Sequence, residues 1–300
     1  MDSSKIAARI AQFELIHISN PREDTIHGVL DEMRMVGRHT VGRPQKGIQF
    51  LAPSFSGKST ILKSYADKAN AEAAAGAVPV FYMELASATT PNQMLDQLLT
   101  TLGDTARVSS EAQRFKRACD ISRDRCIELF LFDEVQHLIS NDTARVAWRV
   151  TEAMKRLLNE GVAPIAFGGD LSATSLFRSN PQLRNRLLTP VELPPLDYSN
   201  TADTSYASIF FDRLDQKMVD DGLMSAKASL GSGQIPSALC AASSGVLGTR
   251  CNIVREALRI ALKRNARKIS AQDISDAIDN WAIPQGFAPS NPLRGWREAA

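Results

Sequence analysis

Three hundred residues suggest two domains, or one core domain with a smaller appendage. A composition of 44% hydrophobic and 23% charged residues excludes wholesale disorder and collagen-like repetition, and a net charge of +2 is too small to announce a nucleic-acid partner. No apolar run approaches a membrane span and the amino-terminal stretch lacks a secretory h-region, so a cytoplasmic chain without a membrane partner is expected.

In chain order, residues 1–40 read as an amino-terminal helical extension. Apolar runs then follow at 47–51, 78–83, 127–132, 163–167 and, shorter, at 191–193. They are nearly continuous rather than alternating, which is the pattern of strands buried on both faces of a parallel sheet. Helical patterns between them predict an α/β core over 41–195 with a five-stranded parallel sheet. Cys119, Cys126, Cys240 and Cys251 form no C-x-x-C pair and no histidine adjoins them, so they read as isolated thiols rather than metal ligands. Beyond Pro194 and Pro195 no strand is expected. Helices over 205–225, 235–243, 250–265 and 271–282 make a small all-helical domain of residues 196–283, in which Ser270 and Asp273 resemble a capping box. The Pro- and Gly-rich tail, 284–300, reads as extended.

The segment from Ala52 to Ser59 fits the phosphate-binding pattern G-x-x-x-x-G-K-[ST], with Ala52 in place of the first glycine. A strand precedes it and a helix follows, as that chemistry requires. Pro53, Ser54, Phe55, Ser56 and Gly57 are then the loop around the ATP phosphates, with Thr60 in the first turn of the helix. Lys58 is expected to reach the β- and γ-phosphates, and the Ser59 hydroxyl to ligate Mg²⁺. Phe55 is unusually large for such a loop and is expected to face outward. Further on, the strand Phe130-Leu131-Phe132 ends in Asp133 and Glu134. A buried strand delivers Asp133 beside the phosphates to support Mg²⁺, and places Glu134 as the general base for the attacking water.

These motifs, GKS followed by FLFDE with a helical domain after the core, resemble the AAA+ ATPases. Within them the chain is similar to the transposition regulators TniB and TnsC, most of all TniB. Ile16 to Arg22, Arg43-Pro44, Asp133 to Leu138, Gln182 to Leu187 with Leu193 to Leu196, Ser244 to Gly248 and Asn291-Pro292-Leu293 carry the likeness in order. The resemblance implies an ATPase with a helical lid, working as a ring or filament. Arg186 would be its arginine finger, with Arg184 the local competitor, and Arg250 its sensor-2 residue.

It further implies a regulator of transposition that binds double-stranded DNA without reading its sequence. Such a regulator links target DNA and a TniQ-like target selector to a DDE transposase, and ATP hydrolysis dismantles the assembly. For DNA the resemblance favours Arg107, Arg114, Lys116 and Arg117, in a stretch (107–126) with six basic against three acidic residues. The competing surface, 250–268, has seven basic residues against one acidic, with Arg255, Arg259 and Lys263 as a helical stripe. One departure stands out. The strand ending at Phe167 runs into Gly168 and Gly169, where AAA+ proteins place a sensor-1 hydroxyl or amide. Unless Asp170 or Ser172 substitutes, hydrolysis is expected to be slow; the glycines can equally be read as permitting a tight turn. A nucleotide-gated signalling scaffold with little turnover and no DNA partner is the alternative function.

Overall fold

The computed structural model describes residues 2–87, 89–104, 110–138 and 144–294, without the side chains of 144 and 145. The elements follow in order: α1 (Ser3–Glu14), α2 (Pro21–His39), β1 (Gly47–Leu51), α3 (Lys58–Ala71), β2 (Val80–Glu84), α4 (Pro91–Thr101), α5 (Glu111–Asp124) and β3 (Leu129–Asp133). After them come α6 (Ala144–Asn159), β4 (Ile165–Gly169), α7 (Thr174–Ser179), α8 (Pro181–Arg184), β5 (Val191–Glu192), α9 (Thr201–Asp220), α10 (Ile235–Ala241), α11 (Leu247–Lys263) and α12 (Ala271–Ala277). The chain divides into two units, one of Pro21–Leu193 and one of Met1–Asn20 with Pro194–Ala300. The amino-terminal stretch read as one extension is therefore shared: α2 belongs to the sheet unit and α1 to the helical one. Among the described residues no helix is long and apolar enough to cross a membrane.

The sheet unit is an α/β core. Its five parallel strands lie in the order β2-β3-β4-β1-β5. The near-continuous apolar runs are explained by the strand period of two, because each face has its own helical layer. Phe130 and Phe132 of β3 join the cluster beneath α4, α5 and α6, with Phe81, Met83, Ile165 and Phe167. Leu129 and Leu131 face the other way, into the cluster formed with α2 and α3. By the same alternation Asp133 falls on the α3 face. On that side α2 is fixed to α3 by the Tyr65 hydroxyl, which donates to Asp31 (2.8 Å).

The helical unit is built around α9, α10, α11 and α12, whose apolar faces meet Ile10 and Phe13 of α1. Its tail is not extended as far as it is described. Asn291 Nδ2 donates to Ser275 O (3.0 Å), Leu293 is buried, and Phe287 stacks on Trp281, so residues 284–294 fold back as turns. Two apolar side chains and one amide in that segment find burial and partners, which outweighs the bias of its prolines.

The α12 capping box is real. The Ser270 hydroxyl accepts from the Asp273 N–H, and the Asp273 carboxylate accepts from the Ser270 N–H. Burial alone would raise the Asp273 pKa, but hydrogen bonds from Arg264 and Ser270 hold it below the usual carboxylate value. A folded-state pKa below the unfolded one stabilises the fold fully above about pH 4. That contribution is lost as pH falls through the folded pKa. Asp273→Asn is expected to cost about 1–2 kcal/mol in urea unfolding at neutral pH and to remove this share of the acid sensitivity.

Candidate functional site

The β1–β4 ladder runs one step past β1, where the Ala52 N–H donates to Gly169 O (3.1 Å). The chain then turns through Pro53 to Gly57 and enters α3 at Lys58. Phe55 (φ 62) and Gly57 (φ 92) are both left-handed. Glycine adopts that conformation freely, whereas for phenylalanine it is strained, and strain of this kind gathers at functional loops. The Phe55 ring is 57% exposed, as its size led us to expect. The first N–H groups of α3 have no acceptor inside the helix and sit at its positive end, an arrangement able to hold an anion. Ser56 Oγ lies beside them, buried and without a hydrogen-bond partner. A phosphate oxygen would complete it.

The carboxyl end of β3 supplies the opposite charge. Lys58, itself buried, holds its Nζ 3.7 Å from Asp133 Oδ1 and 3.4 Å from Glu134 Oε1. Asp133 is fully buried; its Oδ1 also accepts from the Glu134 N–H (2.8 Å) and its Oδ2 from the Tyr82 hydroxyl (3.1 Å). Burial first, and then the Asp133 charge, push the Tyr82 pKa up, so the phenol stays a donor. Sequence reasoning passed over Tyr82. Its only signal is a hydroxylated ring in an apolar strand, and the register that pairs Tyr82 with Leu131 and Glu84 with Asp133 gives it meaning.

The Asp133 carboxylate and the half-buried Ser59 hydroxyl are oxygen donors of the type Mg²⁺ takes, with room for phosphate and water in the remaining positions. Such a cation would neutralise phosphate charge. These residues fit it.

The two glycines at the end of β4 are not turn glycines. Neither has a positive φ. A Cβ on Gly168 would stand 2.7 Å from Asp133 Oδ1 and 2.7 Å from Leu62 Cδ1, so its absence lets β3 and α3 close on each other. A Cβ on Gly169 would meet Val135 Cγ2 at 2.8 Å and Gln136 Oε1 at 2.9 Å. Asp170 and Ser172, the two expected substitutes for sensor-1, are engaged with one another. Asp170 Oδ1 accepts from the Ser172 N–H (2.8 Å) and hydroxyl (2.5 Å), capping the turn Leu171–Ala173.

Residues 18–198, more than half of the chain, match the family model of the bacterial TniB protein. The chain belongs to the TniB family. No curated protein matches it in sequence. Among solved structures, it is similar to the Aeropyrum pernix ORC2 protein in its ADPNP–ADP complexes, with a TM-score of 0.65 and 14% identity over 91% of this chain and 71% of the other. The Aeropyrum pernix ORC1 protein in complex with DNA follows at 0.60 and 13%, over 88% and 66%. Drosophila ORC bound to DNA matches at 0.56 and 16%, over 93% and 67%. At such identities the likeness is one of fold. With the family, it makes this TniB protein an AAA+ ATPase that binds nucleotide.

In this TniB protein Arg186 follows α8 at the amino end of β1, where its carbonyl accepts from the Gly47 N–H (3.0 Å). Four strand steps of roughly 3.3 Å carry the chain about 13 Å from there before the phosphate loop even begins. Arg186 is half-buried and Arg184 exposed, and among the described residues neither has a carboxylate within 4.0 Å. Arg250 is wholly buried in the helical unit, where Nε donates to Ser243 Oγ (3.2 Å) and Nη2 to Cys240 Sγ (2.7 Å), while Nη1 is buried without a hydrogen-bond partner.

Of the DNA candidates, Arg107 lies outside the described residues. Arg114 pairs with Asp96 (2.7 Å) and Arg117 with Asp104, while Lys116 is exposed. The local excess of positive charge is thereby reduced by acidic residues of α4 and its following loop. On α11, Arg255 pairs with Glu14 and Glu256, and Arg259 with Glu256. Lys263, Arg267 and Lys268 remain exposed at the end of that helix.

Proposed function

We propose that this TniB-family ATPase assembles with copies of itself on duplex DNA in the ATP-bound form, and that hydrolysis dismantles the assembly. Lys58, the α3 amino end and Ser56 hold the phosphates; Ser59 and Asp133 hold Mg²⁺; Glu134 takes the proton of the attacking water. One observation carries the reading. Arg186 stands at the far end of β1 from its own phosphate loop, so a finger at this position serves a neighbouring copy's nucleotide. Assembled in the cytoplasm, such a chain offers a platform to a DDE transposase and a TniQ-like target selector.

Contact with DNA runs through Arg114, Lys116 and Arg117, to phosphates rather than bases. Arg114 and Arg117 are held against Asp96 and Asp104, so a phosphate competes with those carboxylates there, while Lys116 is exposed to it directly. The test is assembly, followed by gel filtration and negative-stain microscopy with ATP, with and without duplex DNA. Reversing Arg114, Lys116 and Arg117 to Glu is expected to abolish DNA-stimulated assembly and leave monomer ATP binding intact. Scrambling the DNA sequence should change little, and affinity should fall with salt at a slope near −0.9 per phosphate neutralised. Reversing Lys263, Arg267 and Lys268 is the control. Loss of binding from that control alone moves the DNA face to α11. Assembly that is indifferent to DNA at low salt favours the signalling scaffold.

A further inference from the structure

Glu134 is an unusual point in the backbone. It has φ 59, in the left-handed region that a glutamate seldom adopts, and it directly follows the buried Asp133. A side chain carried on a strained backbone needs neighbours to define its direction, and here they are Lys58 beside Oε1 (3.4 Å) and Gln136 and His137 beside Oε2. Gln136 Nε2 donates to Glu134 Oε2 (2.5 Å). The other end of the same amide, Oε1, accepts from the Asp170 N–H (3.0 Å) at the end of β4. His137 Nε2 lies 3.8 Å from the same Glu134 oxygen, while its Nδ1 meets Leu85 O (2.9 Å).

Gln136 Oε1 also lies 2.9 Å from the point where a Gly169 Cβ would stand. The volume left open by the missing side chain at the end of β4 is thus occupied by a carboxamide that arrives from the turn after β3. We infer that Gln136 is a positioning residue for ATP hydrolysis, replacing the polar side chain absent at position 169 by holding the Glu134 carboxylate in register with the end of β4. The inference rests on the reading of Glu134 as the base. Both amide ends are used, so one rotamer of Gln136 connects the two strand ends that flank the reacting water. Asparagine, one methylene shorter, cannot span them, and a hydroxyl at 169 has no space while Gln136 is present.

The test uses the full chain under conditions where the parent turns over ATP. Gln136→Met keeps the volume and loses both hydrogen bonds. Its kcat is expected to fall by about 10²-fold, the cost of a misdirected catalytic group, while KM and ATP affinity stay at parental values. A residue that merely fills space would be rescued by methionine. A second set moves the polar group to the other strand: Gly169→Ser added to Val135→Ala/Gln136→Ala should recover part of the kcat lost in that double variant. Parental kcat in Gln136→Met, a raised kcat, or a loss confined to ATP affinity would each overturn the inference. Glu134→Gln separates the two levels. If it abolishes turnover while Gln136→Met does not, the base stands and Gln136 has no part in positioning it; if it hydrolyses ATP normally, the reading of Glu134 fails and the inference with it.

Discussion

Titrated with ATP, Lys58→Ala is expected to show binding at least about 10²-fold weaker than the parent, beyond the range of an ordinary assay. Lys58 is buried between Asp133 and Glu134 at 3.7 and 3.4 Å. Removing the cation deletes the charge that meets the phosphates and also leaves two carboxylates facing them. Truncating one partner of a buried charge pair at a binding site costs roughly 2–5 kcal/mol of binding, and each 1.4 kcal/mol is tenfold in affinity. Glu134→Gln gives the opposite pattern. The amide is nearly isosteric and leaves Lys58 in place, so binding is retained, but it cannot accept the proton of the attacking water. Turnover is expected to fall by about 10²–10⁴-fold, and the nucleotide-bound assembly to accumulate. Isothermal titration and phosphate release measure the two effects separately. Parental ATP affinity in the Lys58 variant would remove the phosphate site from this loop.

Arg186→Ala is expected to bind ATP as the parent does and to lose hydrolysis by about 10³-fold or more, as other arginine fingers do. A guanidinium aimed at the phosphoryl oxygens offsets charge that develops only in the transition state, so its loss falls on kcat and spares binding. Mixing provides the sharper measurement. A site formed from the intact base of the Arg186→Ala copy and the intact finger of the Glu134→Gln copy holds both groups, so the mixture should regain turnover that neither variant shows alone. Mixed assemblies confirmed by mass that remain inactive would return Arg186 to the status of a surface cation.

The sequence by itself determined the strands of this TniB protein and the turn that leads from β1 into α3. Both are short-range matters. A strand with a helical layer on each face is apolar along its length, as β3 is from Leu129 to Phe132, and a loop that wraps phosphate needs its glycine, lysine and serine within a few residues of one another. Asp133 and Glu134 were legible for the same reason, since the strand carries them to its own carboxyl end. Tertiary structure alone decided what surrounds them. Tyr82 reaches Asp133 only through the register of β2 on β3. Gly168 and Gly169 look like turn residues in one dimension, yet three-dimensional crowding by Leu62, Asp133, Val135 and Gln136 is what excludes a side chain there.

Charge behaved likewise. A basic stretch counted along the chain loses part of its field when Asp96 and Asp104 fold against Arg114 and Arg117, and Arg250, at the start of a helix in the sequence, is wholly buried in the helical unit. Periodicity and motif spacing record what a residue needs from its immediate neighbours. Which distant side chain fills the adjoining space, or neutralises a charge, depends on strand register and helix packing, and these arise only when segments far apart in the chain are brought within a few ångströms.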